Sequence, residues 1–171
     1  VLEASDKVLQ DFDLTVLGRP LFSPGQTTCF VHVRRGDFLR YPSPVTPAAL
    51  PPEWFISQMN RVQTEIGPVH FYVFSDDEVF ARTVFGSLPN TSVVACDESD
   101  AFLAMASCDN GILSPSTFSW WAAKLAHSRS AGLFVAPNFW AGWGVSQWIP
   151  YRFVRSSFLS YSPVRSDGAG Q

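Results

Sequence analysis

Short apolar runs alternate along the chain with stretches in which apolar residues recur at helical spacing. The runs are rich in β-branched and aromatic residues and are mostly apolar on both faces, which is typical of buried parallel strands. We predict strands at residues 28–34, 69–75, 91–95, 111–114 and 132–136. We predict helices at residues 2–12, 52–65, 76–85, 99–107 and 116–127.

The alternating order of strands and helices indicates the fold class. It favours an α/β fold, a Rossmann-like parallel sheet with helices on both faces, in which ligands bind at the carboxyl ends of the strands. With 171 residues, the chain is expected to form one domain over residues 1–165 and a disordered tail at 166–171. The aromatic-rich stretch 137–161 is expected to be irregular and to wrap back over the sheet.

The composition is that of a globular protein with a small acidic excess. The net charge of −3 argues against a nucleic-acid-binding protein. Cys29, Cys96 and Cys108 have an odd count and no metal-type spacing, so no metal site is predicted. Each is interpreted as a small buried hydrophobic residue, and one bridging pair remains an open alternative.

The chain shows no sign of membrane insertion. No apolar run reaches the roughly 18–20 residues that a membrane span needs, and the N-terminus does not resemble a signal peptide. The chain as given is therefore expected to be soluble. It begins at Val1 without a methionine, which we interpret as a fragment or processed piece that lacks any targeting segment.

Two adjacent arginines, Arg34 and Arg35, end the first predicted strand. Their side chains should point to opposite faces, so that one can enter a ligand cleft while the other pairs with a carboxylate. A guanidinium suits a diphosphate because it stays charged and can donate two hydrogen bonds to it in a bidentate arrangement. A solvated pair, or an ion pair between Arg35 and Asp37, is the alternative. His32 shares a face with Arg34, and it either bonds a base or ribose or is satisfied by backbone.

Further polar groups follow the second and fourth predicted strands. Ser116 and Thr117 open a helix, where hydroxyls, free amides and the positive helix end form a ready anion site, although ordinary capping is the alternative. Asp76 and Asp77 are either caps of the next helix or groups near a sugar or base. Because Arg34 and this helix start face the same edge of one sheet, the sequence predicts a diphosphate site there.

Three segments together resemble the α-1,2-fucosyltransferases. Residues 31–37, VHVRRGD, resemble the family's H-x-R-R-x-D motif. Residues 74–77, FSDD, resemble the F-S-D-D segment that lies between this motif and the next one in the family. Residues 102–123 resemble the block L-M-x-x-C … I-x-x-x-S-T-F-S-W-W-A-A. Order and spacing also fit, and the resemblance extends over about residues 28–140.

The resemblance implies a GDP-fucose-dependent, inverting and metal-independent enzyme, whose acceptor is a terminal galactose of a glycan. The chain would be the C-terminal, donor-binding half of a GT-B-like glycosyltransferase and would need no cofactor besides its donor substrate. Arg34 would bind the β-phosphate, His32 would lie by the guanine, and Ser116 and Thr117 would receive the phosphates. Asp37 would order the arginine loop.

The chain departs from the family pattern at two places. Ala101 occupies a position where the family usually has an aspartate, and Asp100 precedes it. No general base can be matched in the proline-rich loop after Asp37. A truncated or non-catalytic module that binds GDP or a glycan, a purely structural domain and an O-fucosyltransferase are therefore the competing hypotheses.

A sequon at Asn90 bears on the location of the protein. Asn90, Thr91 and Ser92 match the N-glycosylation pattern in a predicted turn, which fits a secretory-pathway protein. The eukaryotic members of the family that this chain resembles are Golgi type II membrane proteins, so a lumenal Golgi location is expected. A cytoplasmic location is the alternative, because bacterial relatives are cytoplasmic.

Overall fold

The structure, a computed structural model, describes Phe22 and residues 25–165. The predicted helix at 2–12 and the predicted disordered tail at 166–171 lie outside the described residues. Within the described part, no helix has both the length and the apolar character needed to cross a membrane.

A single six-stranded parallel sheet forms the centre of the described structure. Its strand order is β3-β2-β1-β4-β5-β6, the order of a doubly wound Rossmann-like sheet. This arrangement confirms the predicted α/β fold class. The strands are β1 Thr28–Val33, β2 His70–Ser75, β3 Thr91–Val93, β4 Asn110–Ile112, β5 Phe134–Pro137 and β6 Ser160–Ser162.

Four α-helices cover the two faces of this sheet: α1 Pro52–Ile66, α2 Glu78–Phe85, α3 Glu98–Ser107 and α4 Thr117–Arg129. Short 3-10 helices occur at Asp37–Leu39 and Trp143–Val145. The helices α1 and α2 pack on one face, and α3 and α4 pack on the other. Connections of this kind are expected when the chain winds outward from β1 in two directions.

The side chains of β1 alternate between the two faces. Cys29, Val31 and Val33 belong to the core beneath α1 and α2, whereas Phe30 belongs to the core beneath α3 and α4. All six residues of the strand are buried, as expected for a central parallel strand. His32 is therefore directed towards the α3–α4 side, where its ring lies 5.6 Å from that of Phe118.

Three details differ from the prediction. The third strand ends at Val93, so Cys96 lies in an exposed loop and is not buried as expected. The helix α3 begins at Glu98, one residue earlier than predicted, and is capped by Asp97, because Asp97 Oδ1 accepts the Asp100 N–H at 2.8 Å. The segment predicted to be irregular ends in the sixth strand, which pairs with β5. All three cysteines are free, so the alternative of a bridging pair is wrong.

Candidate functional site

A cleft of about 900 Å³ opens at the carboxyl ends of the strands. It includes the point where the chain leaves β1 and β4 in opposite directions, which is where ligands of doubly wound sheets bind. The volume lies within the roughly 300–1,000 Å³ that small-molecule sites occupy. Its walls come from the loops after five strands, β1 to β5.

Arg34 lines this cleft immediately after β1. Its Nε and Nη2 donate hydrogen bonds to Asp37 Oδ1 at 3.1 and 2.9 Å, and Nε lies 3.3 Å from Asp76 Oδ2. The side chain remains 34% exposed, so the two carboxylates fix the guanidinium without covering it. A guanidinium held in this way is preorganised to bind an anion in the cleft.

Ser114, a buried residue just after β4, joins the ends of β1 and β4. Its hydroxyl donates to the His32 carbonyl at 2.8 Å and accepts the Arg34 N–H at 2.9 Å. Ser119 Oγ in turn contacts the carbonyl oxygens of Ser114 and Ser116, each at 3.1 Å. The serine pair therefore fixes the position of Arg34 relative to the start of α4.

The N-terminus of α4 forms the wall of the cleft beside Arg34. Ser116 caps this 13-residue helix by accepting the Phe118 N–H at 3.3 Å, which is the capping role given above as the alternative to an anion site. Ser116 and the exposed Thr117 both line the cleft. The backbone N–H groups of a first helical turn lack intrahelical partners and carry partial positive charge. The cleft thus combines a guanidinium with a helix N-terminus, a combination suited to phosphate.

Arg35 points away from the cleft. Its Nε donates to Asp77 Oδ2 at 3.2 Å, and its guanidinium carbon lies 3.5 Å from the centroid of the Phe80 ring. Asp77 also caps α2 through the Phe80 N–H. Arg35 therefore contacts α2. The alternative of an ion pair between Arg35 and Asp37 is wrong, because Asp37 pairs with Arg34 and Arg35 pairs with Asp77.

Asp76 holds the arginine loop from the neighbouring strand. Its Oδ1 accepts the Arg35 N–H at 2.8 Å, while Oδ2 faces Arg34. The loop passes so close that a Cβ added at Gly36 would lie 2.6 Å from Asp76 Oδ2. Glycine at this position lets the backbone approach the carboxylate.

His32 lines the cleft from β1 and is only 6% exposed. Burial, and to a smaller extent the charge of Arg34, lowers the pKa of His32 from 6.5 to about 3. The imidazole is accordingly neutral near pH 7. Its Nδ1 has no hydrogen-bond partner among the described residues, which leaves a buried polar atom next to the cleft.

An acidic wall, formed by Asp97, the N-cap of α3, and Glu98, its first residue, bounds one end of the cleft. Neither residue was among the predicted site residues, although their position after a predicted strand was a usable signal. Ala101 lies on the same wall, whereas Asp100 is absent from the described lining. Asp97 and Glu98 therefore supply carboxylates near Ala101, the position where the family usually has an aspartate.

An apolar end, formed by Trp140, Ala141, Pro150 and Phe153, bounds the cleft on the β5 side. These residues come from the aromatic segment that the sequence analysis described without assigning it to a site. The rings of Trp140 and Phe153 stack at 4.9 Å with an interplanar angle of 19°. The cleft is therefore apolar at one end and acidic at the other.

Two remaining predictions concern residues outside the arginine and serine clusters. Asn90 is exposed in the turn before β3, at the amino end of the sheet, and adopts a left-handed φ of 53°. Its glycosylation stays a prediction. Within the described residues, no group of three or more His, Cys, Asp or Glu side chains is arranged to hold a metal ion.

Comparison with known proteins identifies similar chains. The chain is 32% identical over 134 residues to the O-antigen biosynthesis glycosyltransferase WbnK of Escherichia coli, a match covering 75% of this chain and 43% of that protein. It is 27% identical over 117 residues to an alpha-1,2-colitosyltransferase of Escherichia coli, covering 64% and 40%. The chain thus spans less than half the length of these curated relatives.

A solved structure of the fucosyltransferase NodZ from Bradyrhizobium also matches, with 17% identity and a TM-score of 0.46, over 70% of this chain and 41% of that one. The strongest evidence comes from a family model. The model of glycosyl transferase family 11 matches residues 2–141, most of the chain. The chain therefore belongs to glycosyl transferase family 11.

Proposed function

We propose that this chain binds GDP-fucose and is the donor-binding half of an inverting, metal-independent transferase. The complete enzyme would transfer L-fucose to a terminal galactose hydroxyl of a glycan in α-1,2 linkage. The observation that carries the proposal is that Arg34 and the N-terminus of α4 line one cleft. Membership of a glycosyltransferase family supports it, as does the name of the colitosyltransferase relative, which specifies an α-1,2 linkage.

In the proposed reaction, the acceptor hydroxyl attacks C1 of fucose from the face opposite GDP. The bond from C1 to the diphosphate oxygen breaks, and GDP leaves with the negative charge that develops on it. Arg34 and the first turn of α4, with Ser116 and Thr117, stabilise this charge. A base takes the proton of the acceptor hydroxyl, and we assign no residue of this chain to that role.

The surrounding residues have supporting roles in this proposal. Asp37 and Asp76 hold the Arg34 guanidinium at the cleft. Arg35 and Asp77 anchor the loop to α2, so we place them outside the contact with the diphosphate. His32 presents a neutral ring with an unpartnered Nδ1 to the nucleotide.

Titration calorimetry with GDP tests the proposal. Arg34→Ala should weaken GDP binding about 10- to 100-fold, because a charge-assisted hydrogen bond contributes roughly 1.5–3 kcal/mol. Arg82→Ala is the matched control, since Arg82 pairs with Glu78 on the exposed side of α2. GDP binding that is unchanged by Arg34→Ala would contradict the diphosphate assignment.

A non-catalytic binding module is the second candidate, because this chain spans less than half the length of its curated relatives. A transfer assay with GDP-fucose and terminal β-galactosides separates the two candidates. Transfer in α-1,2 linkage supports the enzyme, and GDP binding without transfer to any galactoside supports the module. Transfer to a protein hydroxyl instead would support the O-fucosyltransferase alternative.

The relatives also bear on location. Both curated relatives described above come from Escherichia coli, a bacterium, which has no Golgi apparatus. They support the cytoplasmic alternative, and nothing in the comparisons supports the expected Golgi location or signal anchor. Fractionation of the cells that produce the protein would test this assignment.

A further inference from the structure

The lining of the cleft changes across the sheet from acidic, to positively charged, to apolar. The acidic wall follows β3, Arg34 and the start of α4 follow the central strands β1 and β4, and the apolar end follows β5. Because β3 and β5 lie on opposite sides of the central pair, the acidic and apolar ends flank the anion-binding centre. A ligand that fills the cleft therefore meets carboxylates, then positive charge, then apolar surface.

The rings at the apolar end are already stacked on one another. Phe153 stacks with Trp140 at 4.9 Å and with Trp148 at 5.3 Å, at interplanar angles of 19° and 9°. Trp140 is itself 3% exposed. These rings therefore present edges and small apolar surfaces to the cleft, and a nucleobase finds little open ring face on which to stack.

The backbone holds this apolar end in place. Phe139 and Trp140 are consecutive non-glycine residues with φ of 60° and 38°, a left-handed conformation that such residues rarely adopt. The Ala141 N–H donates to the Ile149 carbonyl at 3.3 Å, which ties the two sides of the loop together. A Cβ on Gly142 would collide with the Gln147 carbonyl, so the turn accepts only glycine. Strained backbone that is held so firmly is a feature of ligand sites.

A nucleoside diphosphate sugar has its three parts in the same order as the cleft. The N–H groups of guanine are donors suited to the carboxylates of Asp97 and Glu98, and the diphosphate suits Arg34. The sugar then lies at the apolar end. We infer that Trp140, Ala141, Pro150 and Phe153 receive the C6 methyl group of a 6-deoxyhexose and select against hexoses with a C6 hydroxyl. This inference rests on the proposed function.

The selection has a simple physical basis. The side chains of Ala141, Pro150 and Phe153 carry no hydrogen-bonding group, and the Trp140 indole N–H is a donor only. The apolar end therefore offers a methyl group favourable contact, and its side chains offer a C6 hydroxyl no acceptor to compensate for lost water. Apolar pockets discriminate against an added hydroxyl by about 10- to 100-fold. The apolar end is thus a donor-specificity element separate from the diphosphate site.

Three ligands test the inference by titration calorimetry on the chain: GDP, GDP-L-fucose and GDP-L-galactose, which is the same donor with a C6 hydroxyl. We expect GDP-L-fucose to bind at least 10-fold more tightly than GDP-L-galactose. Phe153→Asn supplies a polar partner and should reduce this ratio to below about 3-fold. Ala141→Ser, which keeps the ring stack, should lower the ratio in the same direction if Phe153→Asn fails to fold.

Tyr151→Ala is the matched control, because Tyr151 lies in the same segment but is 88% exposed and outside the cleft lining. It should leave the ratio unchanged. Equal affinity of the wild-type chain for both sugars, with GDP still bound, would overturn this inference and leave the proposed donor site standing. A loss of affinity for GDP itself in Phe153→Asn, equal to the loss for GDP-L-fucose, would place the base at this end. Absence of GDP binding would overturn the proposed function instead.

Discussion

Arg34 and Arg35 are neighbours in sequence but contact different parts of the molecule. Arg34 lines the cleft between Asp37 and Asp76, whereas Arg35 lies against Phe80 and pairs with Asp77. The alternation of side chains at a strand end separates them, which could be anticipated from the sequence. That Asp37 would pair with Arg34, and not with Arg35, depends on the 3-10 turn at Asp37–Leu39, which the pattern of apolar residues does not specify.

The burial of His32 has a measurable consequence for the pH dependence of stability. Its pKa is about 3 in the folded chain and near 6.5 when unfolded, so the unfolded state binds the proton more readily. The free energy of unfolding should therefore fall as the pH drops below 6.5, by about 1.4 kcal/mol per pH unit. His32→Gln removes this titration, so its urea-denaturation curves should lose less stability between pH 7 and pH 5.

The comparison between the two proteins isolates His32, because all other titrating groups are shared. The wild-type chain should lose about 2 kcal/mol more than His32→Gln between pH 7 and pH 5. Parallel pH profiles would show that His32 can take up a proton in the folded chain. That result would contradict a neutral, desolvated imidazole.

At the level of elements, hydrophobic patterning predicts five strands and four helices within the described residues. All of them are present, with shifted ends. The parts of the site that directly follow predicted strands, Arg34 and the start of α4, were also predictable. The acidic wall was missed because Asp97 and Glu98 lie beyond a strand that ends two residues earlier than expected. The apolar end was missed because Trp140 and Phe153 meet only through a left-handed turn, which no local pattern encodes.

Ser114 is the link between the elements that carry the site. Ser114→Ala leaves the half-buried Arg34 N–H without its partner and removes the contact with the His32 carbonyl. We expect a loss of about 1–3 kcal/mol in stability and a several-fold weaker GDP affinity, because Arg34 is no longer fixed to the start of α4. Chemical denaturation and calorimetry measure the two effects.

Ser128→Ala provides a comparison within the same helix as the site. Ser128 Oγ bonds the Leu125 carbonyl three residues earlier, so its loss is local. It should change stability by less than about 1 kcal/mol and leave GDP affinity unaltered. If Ser114→Ala bound GDP as tightly as Ser128→Ala, the serine link would have no part in positioning Arg34.

At the scale of the whole molecule, the strand order places the complete anion-binding centre within one chain. Arg34 follows β1 and the α4 N-terminus follows β4, and the two strands are neighbours at the point where the winding reverses. The polar bonds that position them, through Ser114, Asp37 and Asp76, also belong to this chain. We therefore expect the proposed donor binding to need no contribution from the remaining length of the curated relatives, whereas the proposed acceptor site and base do.

This division predicts that GDP alone stabilises the isolated chain against heat. A ligand present at 100 times its dissociation constant adds about 2.7 kcal/mol to the free energy of unfolding, which corresponds to a rise of roughly 5–10 °C in Tm for a chain of this length. Guanosine, which lacks the diphosphate, should give a much smaller rise at the same concentration, and Arg34→Ala should abolish most of the difference between them. Equal rises with GDP and guanosine would mean that the base alone drives binding, and that Arg34 and the start of α4 do not hold a diphosphate.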